Sequence, residues 1–93
     1  MAVVEIEYDD DKRSQTLAHR GLDFRDAPAL FFGTSVTLLD DRREYGEPRW
    51  LTYGWMDCRA VAMVWTQRGD KRRIISMRHM HEEEARDVGL ARP

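Results

Sequence analysis

Cysteine is nearly absent: Cys58 is the single one in 93 residues. That excludes an intrachain disulfide and any zinc cluster held by this chain's thiolates alone. No apolar run approaches the roughly 20 residues that span a bilayer. The opening residues turn acidic at Asp9-Asp10-Asp11 and lack the basic-then-apolar pattern of a secretion signal. The expectation is therefore a cytoplasmic chain without membrane association. Glycine is scattered, with Gly33, Gly46, Gly54 and Gly69 each standing singly, so no Gly-rich loop is available to cradle phosphates. Neither charge dominates, because 15 Lys and Arg face 17 Asp and Glu; a typical nucleic-acid-binding domain is far more basic. Repeats, low-complexity stretches and linkers are missing too. A single domain over residues 1–93 with one modest core is expected.

What the chain does have is uneven charge. From Arg68 to Arg78 it carries Arg68, Lys71, Arg72, Arg73 and Arg78 against Asp70 alone, while acid concentrates at Asp9–Asp11 and Glu82–Glu84. Within this strip, Arg73-Ile74-Ile75-Ser76-Met77-Arg78 reads as a strand with a guanidinium at each end. Arginine keeps its charge and grips phosphate or carboxylate bidentately. Two readings compete: a sheet surface that meets anions, or a solvated hairpin whose cations guard an edge.

Alternation of Val4, Ile6 and Tyr8 predicts a strand over Val3–Tyr8. Asp9 or Asp10 then caps a helix running to Arg20, with Gly21 past its end and a thin buried stripe of Ser14, Leu17 and Ala18. Phe24, Ala27, Leu30 and Phe31 stand at helical spacing, and Pro28 must mark the start or a kink of that second helix. Strands follow over Thr34–Leu39, Arg49–Trp55, Ala60–Thr66 and Lys71–Arg78, separated by the polar loop Asp40–Pro48 and by turns at Met56–Arg59 and Gln67–Asp70. Met80–Gly89 reads as a terminal helix and Leu90–Pro93 as a frayed tail. Short turns imply an antiparallel meander, and the preceding helices cover one face, giving a two-layer α+β domain. Phe24, Phe31, Val61, Met63 and Ile75 are the expected core. The strand Ala60–Thr66 is apolar on both faces, so its second face needs cover from the last helix or from a partner.

Three histidines are candidates for acid–base or metal chemistry. His19 falls in the last turn of the first helix, where a cation suits the dipole, and His79-Met80-His81 offers a metal pair without a third ligand nearby. Ser76 lies inside a strand and not at a nucleophile elbow. The remaining chemistry is arginine-centred. Arg49, Arg73 and Arg78, with Lys12 and Glu47, are suited to stabilising a phosphoryl-transfer transition state. Such a site needs no metal if an RNA 2′-hydroxyl attacks its own phosphate. The competing reading pairs these arginines with the chain's own carboxylates.

The ordered motifs resemble the BrnT family of bacterial toxins. They are Tyr8-Asp9, Lys12, His19-Arg20-Gly21, Phe24, Asp26-Ala27, Glu47-Pro48-Arg49, Gly54, Arg73-Ile74-Ile75-Ser76-Met77-Arg78 and a glutamate-bearing helix, spanning Tyr8 to about Glu84. Tyr8 stands where the family has Trp, and Met77 where it has a small residue. The resemblance implies a RelE-like ribonuclease fold and the toxin half of a type II toxin–antitoxin module. Such toxins cleave RNA without a cofactor and inhibit translation. It implies a BrnA-like ribbon-helix-helix antitoxin, a 2:2 heterotetramer, and contact with DNA only through that antitoxin. Carried over by position, Glu47, Arg49, Arg73 and Arg78 are the expected catalytic residues, with Glu47 as proton acceptor. Lys12, His19, Arg68, Lys71 and Arg72 are the expected RNA-binding residues, and no metal ligands are implied. A non-catalytic interaction module of the same fold is the alternative, and a small metal-binding protein a third.

Overall fold

The computed structural model describes residues 4–42, 44 and 46–92. Its elements run β1 (Ile6–Tyr8), α1 (Asp10–Arg20), a 3-10 turn (Phe24–Asp26), α2 (Ala27–Phe32), β2 (Ser35–Leu39), β3 (Trp50–Met56), β4 (Arg59–Arg68), β5 (Lys71–His79) and α3 (Glu82–Asp87). The strands form one sheet in the order β1-β5-β4-β3-β2. From β2 to β5 it is the expected antiparallel meander. β1, however, pairs with β5 in parallel, Glu7 against Arg73, so the sheet is mixed. The connection between these two strands is everything from α1 to β4, far longer than the hairpin turn that joins an antiparallel pair.

Asp9 caps α1, its carboxylate accepting from the Asp11 and Lys12 amides at 2.9 and 3.2 Å. Gly21 ends the helix at φ 69°, a left-handed conformation open to glycine. The expected apolar stripe does not exist: Ser14, Leu17 and Ala18 are exposed and no residue of α1 is buried. Polar ties hold the helix instead. Arg13 grips Asp23 bidentately at 2.7 and 2.9 Å, and the Arg20 guanidinium donates to the Met77 carbonyl at 2.6 Å. Pro28 stands in the first turn of α2, where its missing N–H costs nothing.

Two clusters pack on opposite faces of the sheet. The helical side buries Leu22, Phe24, Ala27 and Leu30 against Val61, Met63, Trp65, Ile74 and Met77, with Phe31 partly buried beside them. The other side sets Ala85 and Leu90 on Tyr53, Ala60 and Ala62. The sheet is thus covered on both faces, the second by the last helix and the residues after it, one of the two covers expected for it. The tail is no frayed end, because Leu90 is buried and the Ala91 carbonyl accepts from Trp55 Nε1 at 2.7 Å. Ile75 is not core. A bulge between Val64 and Trp65 pairs Ser76 with Val64 and Ile74 with Trp65, leaving Ile75 without a partner on β4. The inward positions therefore pass to Ile74 and Met77.

Helix α3 is shorter than expected and begins only after His81, whose backbone N–H the Glu84 carboxylate accepts in a capping box. His79 instead meets the Arg20 carbonyl through Nε2 at 2.9 Å, so the two histidines serve separate structural ends. Within the expected Val3–Tyr8 strand and Asp40–Pro48 loop, Val3, Arg43 and Tyr45 lie outside the described residues, as does Pro93 of the expected tail.

Candidate active site

Strand register decides where each candidate stands. Along β5, Arg73, Ser76 and Arg78 pair with Thr66, Val64 and Ala62, the positions of β4 that face α3. Arg72 pairs with Gln67 and Ile6 and lies on the helical side. There its guanidinium stacks over Phe31 and Trp65 at 4.4 and 4.6 Å from the ring centroids. That pair of cation–π contacts, over two rings set edge to face, holds Arg72 away from the other arginines.

On the α3 side, Glu47, Thr66, Arg73 and Glu7 form a transverse row. Glu47 pairs with Arg68 at 3.0 Å, and Arg73 with Glu7 at 3.1 Å. Thr66 links the strands, donating to the Pro48 carbonyl at 2.6 Å. Arg49 is close enough to Glu47 to help lower its pKa. The Thr66 hydroxyl, followed by the Arg68 and Arg49 guanidiniums, holds the Glu47 carboxyl below its usual range. Because the one Thr66 proton already points at Pro48, the two arginines are the firmer part of that shift. Glu47 is consequently ionised at neutral pH, free of a proton but a weaker base than a carboxylate tuned upward.

Arg78 stands apart. It pairs with Ala62, four residues along β4 from the Thr66 opposite Arg73, which is roughly 13 Å at about 3.3 Å per residue. Its guanidinium is bidentate on Glu84 of α3 at 3.0 and 3.3 Å, and that pair, followed by the backbone N–H of His81, keeps the Glu84 carboxyl low. The side chains of Arg68 and Arg78 are about half exposed, and that of Arg73 is 30% exposed. Exposed pairs of this kind are worth about 0–1 kcal/mol. An incoming phosphate can therefore exchange for the carboxylate at small cost while the pair keeps the arginine ordered.

Lys12 and His19 lie elsewhere, with Gln15, Thr16 and Arg20 of α1 and Ile75 and Ser76 of β5, around a groove of about 340 Å³. This groove follows the outer rim of β5 where β1 has ended, since β1 pairs only as far as Ile74. A larger cleft of about 610 Å³ adjoins Glu47 and is lined by Leu39, Asp40, Glu44, Gly46, Pro48 and Trp50. Its charged liners among the described residues, Asp40, Glu44 and Glu47, are all acidic. Lys71 and Arg68 face each other at the β4–β5 hairpin end. Among the described residues, no three His, Cys, Asp or Glu side chains gather in a metal-ligating group. No helix among the described residues is long and apolar enough to cross a membrane.

Sequence reasoning missed Glu7, Thr66, Gln15, Thr16 and Arg20 as neighbours of the site. Glu7 could not be found locally, because its meeting with Arg73 depends on a parallel pairing across most of the chain. Arg20 and Ser76 were visible inside motifs, but only the fold of α1 against β5 gives them a common groove.

The structure is thus an α+β domain whose β5 rim is bordered by Lys12, Thr16, His19 and Arg20, side chains able to donate to an anion. Residues 8–84 match the family model described as the ribonuclease toxin, BrnT, of type II toxin–antitoxin systems. The chain belongs to that family, and membership implies an antitoxin partner. No curated protein matches the chain.

Proposed function

We propose that this chain is an active endoribonuclease that cuts RNA without a metal and thereby inhibits translation. Its inhibitor is a BrnA-like ribbon-helix-helix antitoxin, in a complex of two toxins and two antitoxins that touches DNA only through the antitoxin. The observation that carries the catalytic reading is the rim of β5. Lys12 and His19 border it from α1 and Ser76 lies within it, while Arg73, three residues before Ser76 on β5, faces the α3 side in the row with Glu47 and Arg49. RNA laid along this rim meets cations along its phosphates, with Arg68 and Lys71 extending the track at the hairpin end.

The chemistry follows from those side chains. Glu47 takes the proton from a 2′-hydroxyl, whose oxygen bonds to the adjacent phosphorus. The P–O5′ bond breaks, leaving a 2′,3′-cyclic phosphate on one product. The 5′-oxygen leaves with a proton from water. Arg49 and Arg73 hold the extra negative charge on the equatorial oxygens, a contribution of about 10²–10³ in rate for one donor. Arg78, farther along the rim, holds a flanking phosphate.

The test is cleavage of a defined RNA by the purified chain in the presence of a chelator. A cyclic phosphate end is expected, together with a rate loss of about 10²–10³ in Arg73→Ala at unchanged melting temperature. A metal requirement, or full activity in the folded variant, refutes the mechanism. A second reading, a non-catalytic module, is favoured by the pairing of Arg68, Arg73 and Arg78 with carboxylates. RNA binding without cleavage by the wild-type chain would select it.

A further inference from the structure

The two edges of the sheet are treated differently. At one edge β1 pairs with β5, and beyond Ile74 helix α1 takes over, with Arg20 on the Met77 carbonyl. At the other edge β2 has no neighbour beyond β3 among the described residues. Natural edge strands are blunted by lysine, proline, a bulge or a covering element. β2 reads Ser35-Val36-Thr37-Leu38-Leu39, pairs with β3 without a shift, and carries none of these devices. Four large apolar side chains are exposed among the described residues, and three of them, Phe32 at 62%, Leu38 at 45% and Leu39 at 53%, lie on β2 or at the end of α2 leading into it.

We propose that this edge pairs with the β2 edge of a second copy of the chain, antiparallel about a two-fold axis through Thr37. The backbone geometry fits. The Asp40 amide donates to the Arg49 carbonyl, just before β3, at 2.8 Å, and alternation along a strand then turns the N–H and C=O groups of Ser35, Thr37 and Leu39 outward. Centred on Thr37, these become three hydrogen-bonded pairs, Thr37 with itself and Ser35 with Leu39 twice, giving roughly six main-chain hydrogen bonds.

Side chains are equally self-complementary. Val36 of each copy stands opposite Leu38 of the other on the α3 side of the sheet. Leu39 comes beside the partner's Ser35 on the helical side, where Phe32 ends α2. One register therefore covers all three exposed apolar residues. It also opposes no like charges, since residues 32–39 are uncharged and Asp40 and Asp41 fall opposite Thr34 and Gly33. A two-fold contact of this kind is closed and cannot propagate into a fibre. A five-residue edge buries less than the 1,200–2,000 Å² of a permanent interface, so the dimer exchanges with monomer.

Sedimentation of the purified chain from about 1 μM to about 1 mM, the range of weak association, should show the mass rising from 11.0 kDa toward twice that value. Leu38→Lys should abolish the rise with an unchanged circular dichroism spectrum. The register is tested separately in a Cys58→Ser background. Thr37→Cys sets two thiols on Cα atoms about 5.5 Å apart, within the range of a disulfide, and should give a covalent dimer on oxidation. Leu39→Cys should not, because its two copies lie about 13 Å apart along the strands. A constant mass of 11.0 kDa at the highest concentration overturns the proposal, as does equal cross-linking at both positions. It is also overturned if the isolated chain stays monomeric while Leu38→Lys prevents antitoxin from co-purifying, since the edge would then belong to the antitoxin. None of these outcomes depends on RNA cleavage.

Discussion

Replacing Gly54 by alanine tests how α2 is seated on the sheet. Gly54 is buried in β3, and a Cβ built there stands 2.7 Å from Leu30 Cδ1 and 3.0 Å from Leu30 Cγ. Carbon atoms prefer about 3.5–4.0 Å, so close to 1 Å of room is lacking. Leu30 is 1% exposed and belongs to the cluster containing Val61, Met63 and Trp65; its side chain has no solvent to swing into. The six-residue α2 must shift as a body, or Leu30 must leave its rotamer. Overpacking of this kind costs about 1–3 kcal/mol, offset by up to about 1 kcal/mol from the less flexible unfolded chain. A net loss of about 1–2 kcal/mol is expected, read by urea or thermal denaturation, with about 4–8 °C in Tm for each kcal/mol in a domain of this size. Leu30→Ala alone leaves a cavity and costs about 2–5 kcal/mol. In the double variant the clash vanishes, so the two losses should fall short of additivity by about 1–2 kcal/mol. Strict additivity, or a Gly54→Ala protein as stable as wild type, would refute the close seating of α2 on β3.

Other consequences are separable. Asp23, whose carboxyl Arg13 holds down at about 2 against an ordinary 3.8, stabilises the fold fully above its ordinary value, and that contribution is lost as pH falls toward 2. Asp23→Ala should remove about 1–2 kcal/mol at neutral pH, after allowance for solvent screening, and flatten the acid slope of stability. Trp65→Phe removes the donor that reaches the buried Thr52 hydroxyl at 2.8 Å, and equilibrium unfolding should show a loss of about 1–3 kcal/mol. Arg72→Ala should lower Tm, because its guanidinium lies over the rings of Phe31 and Trp65, while leaving the cleavage rate nearly unchanged; a large catalytic loss in the folded variant would place Arg72 in the site. With Glu47 as proton acceptor, the acid limb of the cleavage profile should fall below pH 4.5, since its pKa is lowered from that value, and Glu47→Gln should eliminate the limb.

Local signals in the sequence determined the elements. Asp9 and Gly21 bound α1, Pro28 opens α2, Gly69 turns the β4–β5 hairpin, and two-residue alternation marks the strands, because capping, proline chemistry and pleat are properties of neighbours along the chain. The order of motifs likewise carried the family, and with it the ribonuclease class. Gly54 was legible as a strand glycine, but its reason, Leu30 lying across it, was not. Only the tertiary structure decided that β1 runs parallel to β5, that the bulge at Ile75 passes the core to Ile74 and Met77, and that α1 is held by Arg13 and Arg20 instead of an apolar stripe. It also divided the basic residues, sending Arg72 to the aromatic side, Lys12 and His19 to the rim groove, and Arg73 and Arg78 to the opposite face in separate ion pairs. Charge along a sequence has no face; strand parity gives it one, and a single unpaired residue in a strand reverses that parity for everything beyond it.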